Sequence, residues 1–252
     1  MLTYDISTRE YMYIIFTHEC NRACPFCIDY YRGRNEYLSW DNLQRHLAFA
    51  KAHKISTITV LGGEPTLHPE VVRFCKEIKR QGFHLVMTTN ADLWYKVQEL
   101  DGIVDSFNFS YYGQRIPDIS QFKSDITLSV LLWKDRFKSL ADLDGFIEKQ
   151  KAAHSNMHLK FKTIEACNNW TEKRKDISDL ICQIPFSEYK TLFGAVNVGI
   201  YRGIPFGLDV LSSDSYEHAF KGQVDGEITK HWTRSNNIKQ KKGYCHESKK
   251  NG

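Results

Sequence analysis

The sequence lacks any apolar run that approaches the roughly 20 residues needed to span a bilayer. It also lacks the basic-then-apolar order of a signal peptide, since Asp5, Arg9 and Glu10 precede the first apolar run. These two absences predict a cytoplasmic protein with no membrane partner. The seven cysteines are an odd number, and without secretion they favour reduced thiols and metal chemistry over a disulfide framework.

The chain carries little excess charge, and that charge is unevenly placed. The formal net charge is +4, but residues 230–252 hold seven Lys or Arg against one acid. The last 23 residues therefore carry +6, and the rest of the chain carries −2. This distribution argues against a globally basic nucleic-acid binder. The tail alone could contact phosphates or an acidic protein, although a solvated tail is the favoured interpretation.

Short apolar runs alternate with amphipathic stretches, an order typical of β-α units on a parallel sheet. The pattern predicts six strands with helices between them, and Ser39 is the expected N-cap of the first helix. We predict strands at 11–18, 56–63, 84–90, 103–110, 125–133 and 158–166, and helices at 40–53, 69–82, 140–153 and near 175–183. Beyond 183 the pattern becomes strand-like and irregular, with a hairpin turn predicted at Asp225-Gly226.

Three cysteines follow the first predicted strand at C-x3-C-x2-C spacing, and a fourth is missing. They are Cys20, Cys24 and Cys27. A structural zinc site has four ligands, and an iron-sulfur cluster held only by protein usually has four cysteines. A zinc knuckle completed by His18 or by the distant Cys245-His246 pair is one interpretation, but it leaves the motif on the next strand unexplained.

Other unusual segments follow the next strands, at the edge where parallel α/β folds place active sites. LGGEPTLHP follows the second predicted strand, TTNA the third and NFSYYG the fourth. Gly62 and Gly63 let a ligand approach the backbone closely, and Glu64 adds a carboxylate, so an ammonium-bearing ligand would fit there. We expect His68 to hydrogen-bond the following turn rather than to act as a base.

The cysteine spacing, combined with GGEP after the next strand, resembles the radical S-adenosylmethionine (radical SAM) superfamily over roughly residues 11–167. The resemblance implies an α/β fold, a partial (β/α)6 TIM-like barrel open on one side. It also accounts for the missing ligand. In that superfamily three cysteinates hold three irons of a [4Fe-4S] cluster, and the fourth iron chelates the amino and carboxylate groups of SAM. Reductive cleavage of SAM then gives methionine and a 5'-deoxyadenosyl radical, which abstracts a hydrogen atom from a substrate.

The resemblance assigns roles residue by residue. Cys20, Cys24 and Cys27 match the cluster ligands, and Phe26 matches the hydrophobic position beside the adenine. Gly62, Gly63 and Glu64 match the segment that receives the methionine ammonium. Ser110 and Ser129 resemble positions that contact the carboxylate or the ribose, and Asn90 is expected near the ribose.

Strand-end residues that follow Ser129, and those near the end of the sixth predicted strand, are expected to face the substrate. They include Trp133, Lys134 and Glu165. Cys167 lies at the same edge. It is a candidate to give a hydrogen atom or a thiolate to a substrate radical, although packing is its favoured role.

Other reactive or aromatic residues are expected to pack. Cys75 and Cys182 read as buried small hydrophobes within helices. Tyr111 and Tyr112 flank the predicted site, and aromatic packing is the default for both.

We expect a radical SAM core at 1–185, a C-terminal cap or substrate-covering segment at 186–234, and a basic flexible tail at 235–252. A flavodoxin or ferredoxin is the expected reductant. A precursor peptide is the first expected substrate, because an open barrel admits a peptide, and a small metabolite or nucleotide is the second. An alternative of another class is a non-catalytic metal-binding module whose tail binds nucleic acid.

Overall fold

The computed structural model describes residues 11–24, 27, 35–132, 136–162, 183–184, 188–191 and 197–207. Six parallel strands alternate with helices in this part of the chain, which confirms the predicted α/β class and the partial barrel. The strands are β1 (Tyr11–Ile15), β2 (Thr57–Leu61), β3 (His84–Thr89), β4 (Ser106–Tyr111), β5 (Asp125–Leu131) and β6 (Met157–Lys162). The helices are α1 (Trp40–Ala52), α2 (Val71–Arg80), α3 (Trp94–Leu100) and α4 (Leu140–Ala153), with a short 3-10 helix at Pro65–Leu67.

Side-chain caps fix where two of the helices begin. The predicted Ser39 cap of α1 is confirmed, because its side chain accepts a hydrogen bond from the Asn42 N–H. Helix α4 begins with a capping box, in which the Ser139 side chain accepts from the Asp142 N–H and the Asp142 carboxylate accepts from the Ser139 N–H. Helix α3 was not predicted from the sequence. It is only seven residues long and has no side-chain cap, so its local signal is weak.

Alternation along each strand separates a helix-facing core from a more polar face. Ile58 and Val60 of β2, and Phe107 and Phe109 of β4, are buried in one apolar cluster. Successive strand residues point to opposite faces. The intervening residues of β4 and β5 therefore lie on the other side of the sheet, and they include Asn108, Ser110 and Ser129. Hydroxyl and amide groups consequently line that face near the carboxyl ends of the strands.

Three further strands extend the sheet beyond β6. They are β7 (Glu188–Thr191), β8 (Asn197–Tyr201) and β9 (Ile204–Gly207), and the sheet order is β1-β2-β3-β4-β5-β6-β9-β8-β7. β9 pairs parallel to β6, whereas β8 pairs antiparallel to both β7 and β9. The strand-like pattern expected beyond residue 183 is therefore present, and its described part lies at the edge of the same sheet.

Several predictions fall on residues outside the described part of the chain. They concern the helix up to residue 182, the hairpin at 223–229 and the tail at 235–252. The division at 185 and 234 stays a prediction. No helix among the described residues is both long enough and apolar enough to cross a membrane.

Candidate active site

The loops that follow β1 and β2 are joined backbone to backbone at the carboxyl edge of the sheet. The Gly63 N–H donates to the Thr17 carbonyl at 2.8 Å, and the Glu64 N–H donates to the Glu19 carbonyl at 2.7 Å. A Cβ added to Gly63 would lie 2.1 Å from the Glu19 oxygen. Gly62 has φ +152° and would place its Cβ 2.3 Å from the Thr17 oxygen. Both glycines are therefore required for the GGE segment to lie against the chain that enters Cys20.

The three motif cysteines form no disulfide and are of intermediate exposure. The Cys27 N–H donates to the Cys24 carbonyl at 3.2 Å, which closes the loop between them. The Arg22 N–H donates to the Cys20 sulfur at 3.4 Å. Three half-exposed sulfurs on one short loop fit the donor set of a [4Fe-4S] cluster that leaves one iron open. As placed, no group of three or more His, Cys, Asp or Glu among the described residues could hold a metal ion. The fit of the three cysteines to a cluster therefore rests on their type, spacing and exposure.

Glu64 connects the GGE segment to the end of β3. Its carboxylate is 1% exposed. One carboxylate oxygen accepts from the Thr66 N–H, the Thr66 hydroxyl and the Thr89 hydroxyl, and the other accepts from the Asn90 N–H at 2.7 Å. Burial raises the pKa of the Glu64 carboxyl, and these hydrogen bonds act in the opposite direction. The predicted ammonium site thus includes a carboxylate that also determines the position of two loops.

A second set of contacts joins the cysteine loop to the loop after β3. We call Asn21, Arg22, Asn90 and Asp92 the loop clamp. The Arg22 guanidinium donates to both carboxylate oxygens of Asp92, with Nε 2.6 Å from Oδ2. Asn90 donates to the Asn21 side-chain oxygen at 2.8 Å, and Asn21 in turn donates to Asp92 at 3.2 Å. The hydrogen bond to Asp92 raises the pKa of Arg22, and a guanidinium that donates to both oxygens of a carboxylate is among the stronger hydrogen-bonded arrangements in proteins.

Tyr112 lies against the same loop, although the sequence predicted only packing for it. The Arg22 guanidinium carbon lies 4.8 Å from the centre of the Tyr112 ring. Burial raises the pKa of the Tyr112 phenol, a hydrogen bond with the Ser110 side chain lowers it, and the nearby Cys24 and Cys27 raise it. Tyr112 therefore lies between the cysteine loop and the predicted Ser110 contact. Tyr111 does pack as expected, with its ring 5.4 Å from that of Phe146.

The remaining predicted site residues divide into those that lie at this edge and those outside the described chain. Ser110 of β4 and Ser129 of β5 are register partners. The Ser129 side chain is buried, and its hydroxyl has no hydrogen-bond partner among the described residues. Phe26, Trp133, Lys134, Glu165, Cys167 and Cys182 lie outside the described residues.

Two expectations for residues near the motif are confirmed. Cys75 is fully buried in α2, and this burial raises the pKa of its thiol. His68 is 2% exposed. Its Nδ1 accepts from the Glu70 N–H at 3.1 Å, and its Nε2 lies 2.9 Å from the Leu38 carbonyl, to which it must donate. His68 is therefore a neutral structural residue of the turn, and burial lowers its pKa.

Sequence reasoning missed Arg22, Asp92 and Gln114, and it predicted only packing for Tyr112. Gln114 donates to the Ser110 carbonyl at 2.8 Å and accepts from the Tyr112 N–H at 2.7 Å. The available signal was their position, since each lies within four residues of a predicted site residue on a strand-end loop. The pairing of Arg22 with Asp92 across 70 residues has no local signature.

Comparison with known proteins identifies a family domain and two groups of relatives. The model of the radical SAM superfamily matches residues 14–111. A protein of Saccharolobus islandicus named "Probable GTP 3',8-cyclase" is 36% identical over 110 residues, which are 41% of this chain and 35% of that protein. An S-adenosylmethionine-dependent nucleotide dehydratase of a Thermoplasmatales archaeon is 31% identical over 96 residues, which are 36% of this chain and 34% of that protein. The chain thus matches about a third of the length of these curated relatives.

A solved structure supports the fold. SuiB of Streptococcus suis, in its complex with the precursor peptide SuiA, superposes with a TM-score of 0.50 at 16% identity. The superposition covers 70% of this chain and 44% of that chain. At this identity the similarity shows the fold alone.

Proposed function

We propose that the protein is a radical SAM enzyme that cleaves S-adenosylmethionine reductively, because residues 14–111 match the model of the radical SAM superfamily. The family implies a [4Fe-4S] cluster and S-adenosylmethionine as cofactors. We assign the cluster to Cys20, Cys24 and Cys27. The observation that carries the proposal is the arrangement of these three half-exposed cysteines, none in a disulfide, on a loop whose entering chain is joined to the GGE segment by backbone hydrogen bonds.

When bound, the cluster supplies the electron that cleaves a carbon–sulfur bond of SAM, giving methionine and a 5'-deoxyadenosyl radical that takes a hydrogen atom from the substrate. The chain's own residues bind and orient. With SAM bound, the GGE segment would present its backbone, with Glu64, to the methionine ammonium. Ser110, Ser129 and Asn90 would contact the carboxylate or the ribose, and Phe26 is proposed as the residue beside the adenine. Cys167 stays a candidate to give a hydrogen atom or a thiolate to the substrate radical.

A precursor peptide is the first proposed substrate. A partial barrel that is open on one side can admit a chain of that size, and SuiB, which shares the fold, was solved with a precursor peptide. A nucleotide is the second candidate, because both curated relatives are named for reactions of nucleotides. We propose a flavodoxin or ferredoxin as reductant in a cytoplasm that protects the cluster from oxygen. The segment at 186–234 is proposed to cover the substrate, and the tail at 235–252 to be dispensable.

Anaerobic reconstitution tests the proposal. The wild type, with iron and sulfide added, is expected to form 5'-deoxyadenosine from SAM and dithionite, because the cluster then supplies the cleaving electron. The Cys20/Cys24/Cys27→Ala variant should form none. Cys75→Ala is the matched control, since it removes a buried cysteine of α2 and keeps the motif. An increase in deoxyadenosine on adding candidate peptides or nucleotides would identify the substrate class.

One result would favour the non-catalytic alternative. If the wild type carries a verified [4Fe-4S] cluster and forms no deoxyadenosine with or without substrates, the radical SAM assignment fails. A metal-binding module with a nucleic-acid-binding tail would then be the better description, and its binding to DNA or RNA should weaken steeply with salt.

A further inference from the structure

Arg136 carries a buried guanidinium nitrogen without a hydrogen-bond partner. Its Nη1 is inaccessible to solvent and has no hydrogen-bond partner among the described residues. Other arginines of the described chain differ in this respect, because Arg22, Arg80 and Arg202 each form an ion pair with a carboxylate. Burial of a cationic donor is unfavourable unless an acceptor replaces the lost water. The unpaired donor in Arg136 therefore requires an explanation.

Aromatic and backbone contacts hold the guanidinium in place without satisfying that donor. Its central carbon lies 4.8 Å from the centre of the Tyr111 ring, and a ring face attracts a cation but accepts little from an N–H. Gly113 has φ +107°, and a Cβ on it would lie 2.2 Å from Nη2 of Arg136. Any side chain at position 113 would thus displace the guanidinium. Burial lowers the pKa of Arg136, and among the described residues only Tyr111 acts against that effect.

The location connects Arg136 with the predicted substrate edge. Tyr111 ends β4, Gly113 follows it, and Arg136 lies between β5 and α4, so the contact joins the loops at the carboxyl ends of two adjacent strands.

We propose that Arg136 binds an anionic group of the substrate, a phosphate or a carboxylate. The inference rests on the proposed function and refines the class of substrate. A planar guanidinium presents paired N–H donors that match both groups. A phosphate would come from a nucleotide, and a carboxylate from an acidic residue or the C-terminus of a peptide.

The test compares Arg136→Gln and Arg136→Lys with the wild type, all with reconstituted clusters. The probes are inorganic phosphate and acetate, titrated in a buffer free of other small anions. We expect Arg136→Gln to lower the affinity for the preferred probe at least tenfold. This loss should be at least ten times larger than any loss of affinity for SAM. Arg136→Lys should retain part of the affinity, because it keeps the charge but loses the paired donors. Arg202→Gln is the matched control, since Arg202 lies in the β8–β9 turn and forms ion pairs with Asp144 and Glu148 of α4.

A second measurement needs no variant and avoids any question of folding. Phenylglyoxal modifies arginine side chains, and peptide mass spectrometry reports each site separately. The preferred probe should protect Arg136 in the wild-type holoenzyme and leave Arg202 unprotected. Preference for phosphate over acetate indicates a nucleotide, and the reverse preference indicates a peptide carboxylate.

Two outcomes would overturn the inference. Equal probe affinity in Arg136→Gln and the wild type would show that Arg136 binds no anion. A parallel loss of SAM affinity would show that its ligand is the SAM carboxylate and not the substrate. Deoxyadenosine formation by the wild type is scored separately, so a failed anion site with active SAM cleavage leaves the proposed function intact. A verified cluster without SAM cleavage would refute the function itself.

Discussion

The loop clamp predicts that Asp92 controls how often the cysteine loop opens in the cluster-free protein. The Arg22 and Asp92 side chains retain 21% and 31% exposure. Asp92→Asn keeps one acceptor but removes the negative charge from a guanidinium that is otherwise in contact with the Tyr112 ring. A hydrogen bond to a charged group contributes about 1.5–3 kcal/mol. Partial exposure reduces this to about 1–2 kcal/mol for the loss of charge, and about 1.4 kcal/mol corresponds to a tenfold change in the open population.

Amide hydrogen exchange in the cluster-free protein measures this opening directly. Peptides that cover residues 19–27 and 62–66 should exchange roughly 5- to 30-fold faster in Asp92→Asn. The reason is that the Gly63 and Glu64 amides donate across the joined loops, and the amides of Arg22 and Cys27 donate within the cysteine loop that the clamp holds. Peptides from β5 should not change, since that strand lies in the core of the sheet. Arg202→Gln is again the control variant, because it removes an ion pair remote in sequence from the clamp.

A double-mutant cycle with Arg22→Gln decides whether the two residues act as a pair. If they do, the double variant should exchange little faster than either single variant, with a coupling of about 1 kcal/mol. Unchanged exchange in Asp92→Asn, or strictly additive effects in the double variant, would refute the reasoning. The loop would then be held by the GGE backbone contacts alone.

Three further changes have outcomes set by local geometry. Gly63→Ala should lower the bound iron per chain and destabilise the protein by more than about 2 kcal/mol, because its Cβ would overlap the Glu19 oxygen; Gly145→Ala, which has open space in α4, should be neutral or stabilising in the same urea titrations. Ser139→Ala should cost about 1 kcal/mol of unfolding free energy by removing the capping box, and an unchanged urea midpoint would contradict this. The lowered pKa of His68 means that the folded state takes up a proton less readily than the unfolded state. The contribution of His68 to the free energy of unfolding is therefore fully present above pH 6.5, and below that pH it decreases by up to about 1.4 kcal/mol per pH unit. His68→Gln should flatten this pH dependence in unfolding titrations.

Local patterns were sufficient to predict the six parallel strands and the edge at which the site lies. Apolar runs and helix caps such as Ser39 act over a few residues, and each leaves a mark in the adjacent sequence. The segments after β1 to β4 were then expected at one edge, because the carboxyl ends of parallel strands share it. Helix α3 was missed because a short helix without a side-chain cap leaves little such mark.

Contacts between distant residues could not be predicted in the same way. The burial of Glu64 depends on how the GGE loop packs against the end of β3, and the sequence alone indicated a carboxylate available to a ligand. The role of Tyr112 depends on the side from which Arg22 approaches its ring. Neither arrangement follows from spacing, because loop conformations are selected by contacts that form only in the folded chain.

The sequence by itself determined which groups the predicted site contains: three cysteines with no fourth, and two glycines and a carboxylate after the next strand. It also determined that these groups follow successive strands of one parallel sheet. Tertiary structure alone decided how these groups are held and which charges are left unpaired. Asp92 neutralises Arg22 from 70 positions away, while Arg136 has no such partner in the described chain. The difference arises because hydrogen bonding and burial depend on distance in space, which the fold sets and the order of residues does not.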